Sequence, residues 1–443
     1  MSFGDQLPRI VVPPPGPRSR ALSADLRKLE APGVNTLPTL PEGHPLPSSI
    51  LWEEAKGANV RDVDGNIYID LTAGFGVAAI GHRHPRVVEA VRHQAGELLH
   101  ALGDVHAHPR RVELARLLVA LAPVDDAQVF FAISGAEAVE IALKTALGAT
   151  GRPGILAFDP SYHGMTLGAL AVSSRPEFRD PFADHLHGHV RRLPFGAALD
   201  LVDEALDDGK VGAVIVEPIV GREGVLIPPT GWLLGISEIC HRRGTLLIAD
   251  EIFTGFGRTG RLFAVDHEGV RPDILCCGKA LGGGLPIAAV IARRDLFRCW
   301  GTAGEALHTA TFIANPLACA AALAAVAVIR ESDLPDRAAR LGEELGRRLA
   351  DWPRRFPAVE EVRGRGLLWG IQFRTAKAAK SWMLASWSRG VLLLSGGPEG
   401  QVAQIVPPLT IQEEQLAGAM AILEEEMEGL NSPSATPGAS ATS

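Results

Sequence analysis

Short runs that are apolar throughout alternate, along the middle of the chain, with longer segments whose apolar residues recur every three or four positions. Residues 129–133, 155–158, 211–216, 245–249 and 273–277 are continuous rather than alternating apolar runs, the pattern of strands buried on both faces. Between them, 136–147 and 231–241 have helical spacing. This order predicts βαβ units, and hence an α/β fold with a mainly parallel central sheet covered by helices. Upstream, Asp64-Gly65-Asn66 interrupts two extended runs within 60–71 and predicts a hairpin; 87–102 reads as an amphipathic helix.

From Pro316 the spacing stays helical to residue 349. Two apolar stretches flanked by glycines follow within 362–373, then another helix and a final strand near Val406. Helices followed by antiparallel-looking strands predict a smaller α+β domain. The expected division is 1–75 as an N-terminal segment contributing to the small domain, 76–320 as the large domain, 321–430 as the small domain and 431–443 as a disordered tail. The proline-rich first 20 residues are expected to be loose as well.

Composition narrows the function. With 443 residues, 47% hydrophobic and 21% charged, the chain can bury a large core. Its net charge of −8 opposes binding to nucleic acid or anionic lipid. Five cysteines, with no CxxC pair, fit a reducing compartment and no zinc site. No apolar stretch follows basic residues at the start, and the run 317–329 is shorter than the roughly 20 residues that span a bilayer. A cytoplasmic protein with no membrane partner is expected.

In an open parallel sheet, ligands bind at the carboxyl ends of the strands, so the polar residues that end each apolar run are the candidates. Ser134-Gly135-Ala136-Glu137 ends the first. Alone it reads most simply as a capping box, although a glycine at a helix start also lets backbone N–H groups approach a phosphate. Glu217 ends another run, and Asp250-Glu251 a third. Carboxylates there are desolvated unless they cap a helix, pair with a buried cation or meet a ligand. Lys279 follows the fourth, in Gly278-Lys279-Ala280-Leu281-Gly282-Gly283-Gly284, and is one of only seven lysines in the chain. A desolvated amine there can attack an aldehyde to form a Schiff base. A buried aspartate, such a lysine and an anion cradle together match what pyridoxal phosphate requires.

The ordered set Ser134-Gly135-Ala136-Glu137-Ala138, Tyr162-His163-Gly164, Glu217-Pro218, Asp250-Glu251-Ile252, Thr254-Gly255-Phe256-Gly257-Arg258-Thr259-Gly260, Gly278-Lys279, Thr311-Phe312 and Asn315-Pro316-Leu317 resembles the class III (ω-amino acid type) pyridoxal-phosphate aminotransferases. The resemblance runs from about Ile50 to Pro407-Pro408-Leu409. It implies fold type I, the aspartate aminotransferase-like architecture, with pyridoxal 5′-phosphate as cofactor. It also implies that Lys279 carries the Schiff base and moves the proton, and that Asp250 pairs with the ring nitrogen. Tyr162 and Ile252 would flank the ring, while Ser134, Gly135 and Ala136 would serve the phosphate. Thr311 would reach the phosphate of the other subunit of a homodimer.

Two positions depart from the pattern. Many members carry a carboxylate-binding arginine where this chain has Gln404, and an amide cannot supply that charge. Arg222 is the candidate replacement, though a solvated loop arginine is an equal reading; Glu217 then either binds a substrate amine or stays protonated. Phe253 stands where members often have a glutamine that hydrogen-bonds the cofactor, so altered cofactor reactivity is expected. The expected reaction is transfer of an amino group from an amino acid, ω-amino acid, diamine or amine to a 2-oxo acid. The alternative is a racemase, epimerase or aminomutase on the same scaffold. A non-catalytic regulator is disfavoured because the N-terminal segment is too short for a DNA-binding module.

Overall fold

The computed structural model describes residues 2–33, 49–301 and 304–430; the tail expected at 431–443 lies outside them. Trp52–Lys56 (β1), Asn59–Asp62 (β2) and Ile67–Asp70 (β3) form an antiparallel meander. Its β2–β3 turn is the predicted Asp64-Gly65-Asn66. The main sheet contains Ala127–Ala132 (β4), Gly154–Asp159 (β5), Val190–Pro194 (β6), Val211–Val216 (β7), Leu246–Asp250 (β8), Ile274–Cys277 (β9) and Ala288–Arg293 (β10). The order across it is β4-β10-β9-β8-β7-β5-β6. Only β10 runs antiparallel to its neighbours, β4 and β9. The other pairings are parallel.

Both faces are buried at β7, β8 and β9, which is why these strands are continuous apolar runs up to their ends. Leu247, Ala249, Leu275 and Cys277 face one core, and Leu246, Ile248, Ile274 and Cys276 face the other. The adjacent cysteines therefore point to opposite sides of the sheet. Helices Gly135–Thr150 and Trp232–Arg243 match the predicted helical segments to within a few residues. The segment predicted at 87–102 is helical only as Pro85–Glu97, and Leu99 and Leu102 beyond it are exposed.

The third sheet is built from Val359–Arg365 (β11), Leu368–Phe373 (β12), Leu394–Gly396 (β14) and Val402–Ile405 (β15), ordered β11-β12-β15-β14 and antiparallel. Val391–Leu392 (β13) instead pairs in parallel with β3. Ala58, Ile69 and Leu71 share one core with Trp352, Phe373 and Trp382, so the N-terminal meander and the C-terminal part pack as one body. Residue 320 lies inside the helix Pro316–Glu331, whose Ala321, Ala325 and Ile329 belong to the main-sheet core. A final helix, Glu413–Leu430, completes the C-terminal part.

The start of the chain is not loose. Backbone N–H groups of Gly4 and Gln6 donate to Asn59 Oδ1, those of Val11 and Val12 to Asn66 Oδ1, and those of Arg18 and Ser19 to Asp64. Prolines cannot donate to a ladder, so beyond the single backbone bridge between Arg9 and Ile67 the segment is held by these side-chain acceptors. No helix among the described residues is long and apolar enough to cross a membrane.

Candidate active site

Strands β9, β8 and β7 lie side by side and end with their carboxyl termini abreast. This places Lys279, Asp250 and Glu217 at three adjacent strand ends. Lys279 follows Gly278 with φ +42°, a conformation rare for a non-glycine residue and often kept where a site demands it. Its Nζ lies 4.1 Å from the centroid of the Phe253 ring. Desolvation pushes the Lys279 amine down to about 8, against the pull of Asp250 and Glu217, and Arg222 pushes it further the same way.

Asp250 is buried and held from two sides. Its Oδ2 lies 2.7 Å from Nδ1 of His163, and its Oδ1 accepts from the Ile252 N–H at 3.1 Å. Glu217 is also buried: Oε1 accepts from the Tyr162 N–H at 2.9 Å and Oε2 from the Gly221 N–H at 3.0 Å. Burial nevertheless raises its carboxyl to about 7, with His163 opposing and Asp250 assisting.

At the end of β4, Ser134 caps the helix Gly135–Thr150, its hydroxyl accepting from the Glu137 N–H. Glu137 completes a variant of the expected capping box, reaching back to the N–H of Ile133 rather than of Ser134. The first N–H groups of a helix have no intrahelical acceptor and carry its positive dipole end, so Gly135 and Ala136 present anion donors. A Cβ on Gly135 would meet Ile252 at 3.1 Å. Ile252 therefore seats directly on this helix start.

The loop Tyr162-His163-Gly164 crosses the same helix. Gly164 has φ +132°, and a Cβ there would lie 2.6 Å from Ala136 Cβ, so only glycine permits the crossing. Arg222 lies with its Cζ 4.5 Å from the Tyr162 ring centroid. Gln404, on β15, is buried and donates through Nε2 to Gly221 O and Arg222 O. Phe253 occupies the space between Gly76 and Gly221, where a Cβ on either glycine would collide with its ring.

Lys279, Asp250, Glu217, Tyr162, Ile252, Gly135, Ala136, Arg222 and Gln404 thus surround one region. Thr311 is not among them: it is exposed, on a loop whose backbone lies against Gly103. His163 was not singled out by sequence for any role, because no local pattern ties it to Asp250, 87 positions away. Together the residues fit pyridoxal phosphate: an amine that gives up its proton readily, an anchored carboxylate, and a helix start offering N–H groups to a phosphate.

Residues 41–427 match the family model described as Aminotransferase class-III. The acetylornithine aminotransferase of Methanopyrus kandleri is 44% identical over 372 residues, covering 84% of this chain and 92% of that protein. The acetylornithine aminotransferase of Mycobacterium tuberculosis is 42% identical over 372 residues, covering 83% and 89%. Among solved structures, the ornithine aminotransferase of Toxoplasma gondii superposes with a TM-score of 0.81 at 32% identity, covering 88% of this chain and 92% of that one. An amine transaminase from an uncultivated Pseudomonas species, in its PLP-bound form, also gives 0.81, at 27% identity, covering 88% and 98%. The chain belongs to the class III aminotransferases, pyridoxal 5′-phosphate-dependent enzymes of fold type I.

Proposed function

We propose that this aminotransferase takes its amino group from an amino acid, an ω-amino acid, a diamine or another amine, and that Lys279 and Asp250 are its catalytic pair. The observation that carries the assignment is the adjacency of a desolvated lysine and a doubly anchored aspartate at neighbouring strand ends. When bound, the cofactor supplies an aldehyde that takes up amines and a ring that withdraws electrons. Lys279 Nζ would tether it, and once released would take a proton from the substrate carbon and return it. Asp250, fixed by His163 and the Ile252 N–H, would hold the ring nitrogen. Gly135 and Ala136 would hold the phosphate through N–H groups, and Ser134 keeps their helix start in place. Tyr162 and Ile252 would bound the ring.

The relatives named acetylornithine aminotransferase favour a donor that itself carries a carboxylate. The racemase and aminomutase readings have no observation in their favour.

A homodimer is part of this reading. Thr311 is exposed, as a residue that serves another subunit must be. Its loop, with exposed Leu307 and Phe312, lies against the segment that carries exposed Leu99, Leu102 and Val105, a surface suited to a second copy. The division into a large unit (76–320) and a small unit (1–75 with 321–430) is likewise our reading, its boundary falling within the helix Pro316–Glu331. Five unpaired cysteines support a cytoplasmic location.

The test is Lys279→Ala. The variant should lose the long-wavelength absorbance of the lysine-bound cofactor, together with transamination. Retention of that absorbance would show that the tether lies elsewhere.

A further inference from the structure

We propose that Arg222 receives the substrate carboxylate, and that Gln404 is the positioning residue that aims it. The proposal rests on the transaminase reading above and specifies the substrate class of that site: amino acids and oxo acids, rather than amines without a carboxylate.

Two arginines lie against the Phe178 ring, each 5.4 Å from its centroid, and their surroundings differ. Arg175 is neutralised: its Nε lies 2.7 and 2.9 Å from the two oxygens of the buried Glu223, and an Nη donates to Gly397 O. Arg222 has no hydrogen-bond or ion-pair partner among the described residues. Its guanidinium instead lies 4.5 Å from the Tyr162 ring centroid and 5.4 Å from that of Phe178. Stacking of this kind holds the plane of a guanidinium while leaving its N–H edge open to a carboxylate fork. Its charge also reaches the amine of Lys279, so it lies within electrostatic range of the reacting centre.

The backbone that carries Arg222 is held on both sides. Gly221 N–H donates to Glu217, while Gly221 O and Arg222 O accept from Gln404 Nε2 at 2.9 and 3.2 Å. Val220 and Leu226 bridge across the base of the loop, and Arg363 Nε donates to Gly224 O and Val225 O. Gly396 leaves room for the Gln404 amide, since a Cβ there would collide with Nε2. An arginine at position 404 would extend past the point where the amide already meets Gly396. The uncharged amide at 404 and the held cation at 222 are one arrangement: the amide fixes the loop that supplies the charge.

The experiment uses the holoenzyme and a panel of L-amino acids, each paired with its decarboxylated amine, with loss of the lysine-bound cofactor absorbance as the readout. Wild type should react faster with the acids. Arg222→Gln should lower the acid-over-amine ratio of kcat/KM about ten- to a hundredfold, the loss expected for hydrogen bonds to a charged group, and Arg222→Lys should restore part of it. Gln404→Leu, which removes both donors at similar volume, should lower the ratio in the same direction through KM more than kcat. An unchanged ratio in Arg222→Gln overturns the proposal. So does a Gln404→Leu variant that slows acids and amines alike, which is the mark of a purely structural role. Wild type lacking the lysine-bound absorbance would instead overturn the transaminase reading on which the proposal rests.

Discussion

The Nδ1 atom of His163 lies 2.7 Å from Oδ2 of Asp250, while Nε2 of the same ring is buried without a partner. An ionised carboxylate only accepts, so the Nδ1–H donates. Among the described residues the ring hydrogen-bonds to Asp250 alone, and the backbone N–H of His163 is tied to Ser173 Oγ. Replacing His163 by Phe keeps the ring volume and removes the bond. We expect retained cofactor and a kcat about ten- to a hundredfold lower, from the loss of one hydrogen bond to a charged group. Steady-state kinetics with cofactor quantified by absorbance checks this, and a normal kcat would deny His163 any role in orienting the aspartate.

Asp250→Asn should also keep its cofactor, because the tether and the phosphate donors remain. It should lose about a hundredfold or more in turnover, since an amide cannot hold a positive charge on the ring nitrogen. Near-normal turnover would contradict the role assigned to Asp250.

Phe253 and Gly221 form a coupled pair. A Cβ on Gly221 would overlap the Phe253 ring, and the φ of Gly221 is not positive, so the ring is the obstacle rather than the backbone. Gly221→Ala should destabilise by about 1–3 kcal/mol, the usual range for overpacking. In a Phe253→Ala background the same change should be milder by more than about 0.5 kcal/mol. Urea unfolding of the four proteins in the cycle measures the coupling, and additivity would show that the clash relaxes by another route.

Stability should carry a pH signature from buried groups. Burial raises Glu251 from 4.5 to about 7, although Thr254 and the Val265 N–H pull the other way. The folded chain then keeps a proton that the unfolded chain loses near 4.5. This contribution is complete below pH 4.5 and is lost as the pH rises through about 7. The stability of wild type relative to Glu251→Gln should therefore fall as the pH rises over that window, as read from urea midpoints. Lys279 in the cofactor-free protein has the opposite sign. Its folded-state value of about 8 lies below the ordinary 10.5, so its contribution improves as the pH rises from about 8 towards 10.5. Lys279→Met should abolish that rise, and a difference independent of pH would mean that the amine is solvated.

Local pattern was sufficient for much of this protein. The parallel strands at 211–216, 246–250 and 274–277 show in the sequence because burial on both faces demands apolar residues at every position. The residues ending them, Glu217, Asp250 and Lys279, were legible for the same reason: a polar group behind such a run needs a purpose. Two strands of the main sheet were not legible. Val190–Pro194 is a half-buried edge strand with two arginines, and Ala288–Arg293 follows a glycine-rich turn that masks its start.

Other features had no local signal. The hydrogen bonds that seat the proline-rich start, the pairing of His163 with Asp250, and the amide of Gln404 bonded to the backbone 183 positions away join segments that share no periodicity. Which of Arg175 and Arg222 is neutralised depends on where Glu223 points, and composition cannot show that. The sequence by itself determined the parallel strands Val211–Val216, Leu246–Asp250 and Ile274–Cys277, the polar residues at their ends and the family, because burial and spacing write those into consecutive residues. Only the tertiary structure decided how the site is supported, because a hydrogen bond across the fold depends on the meeting of two side chains and leaves no repeating pattern in either.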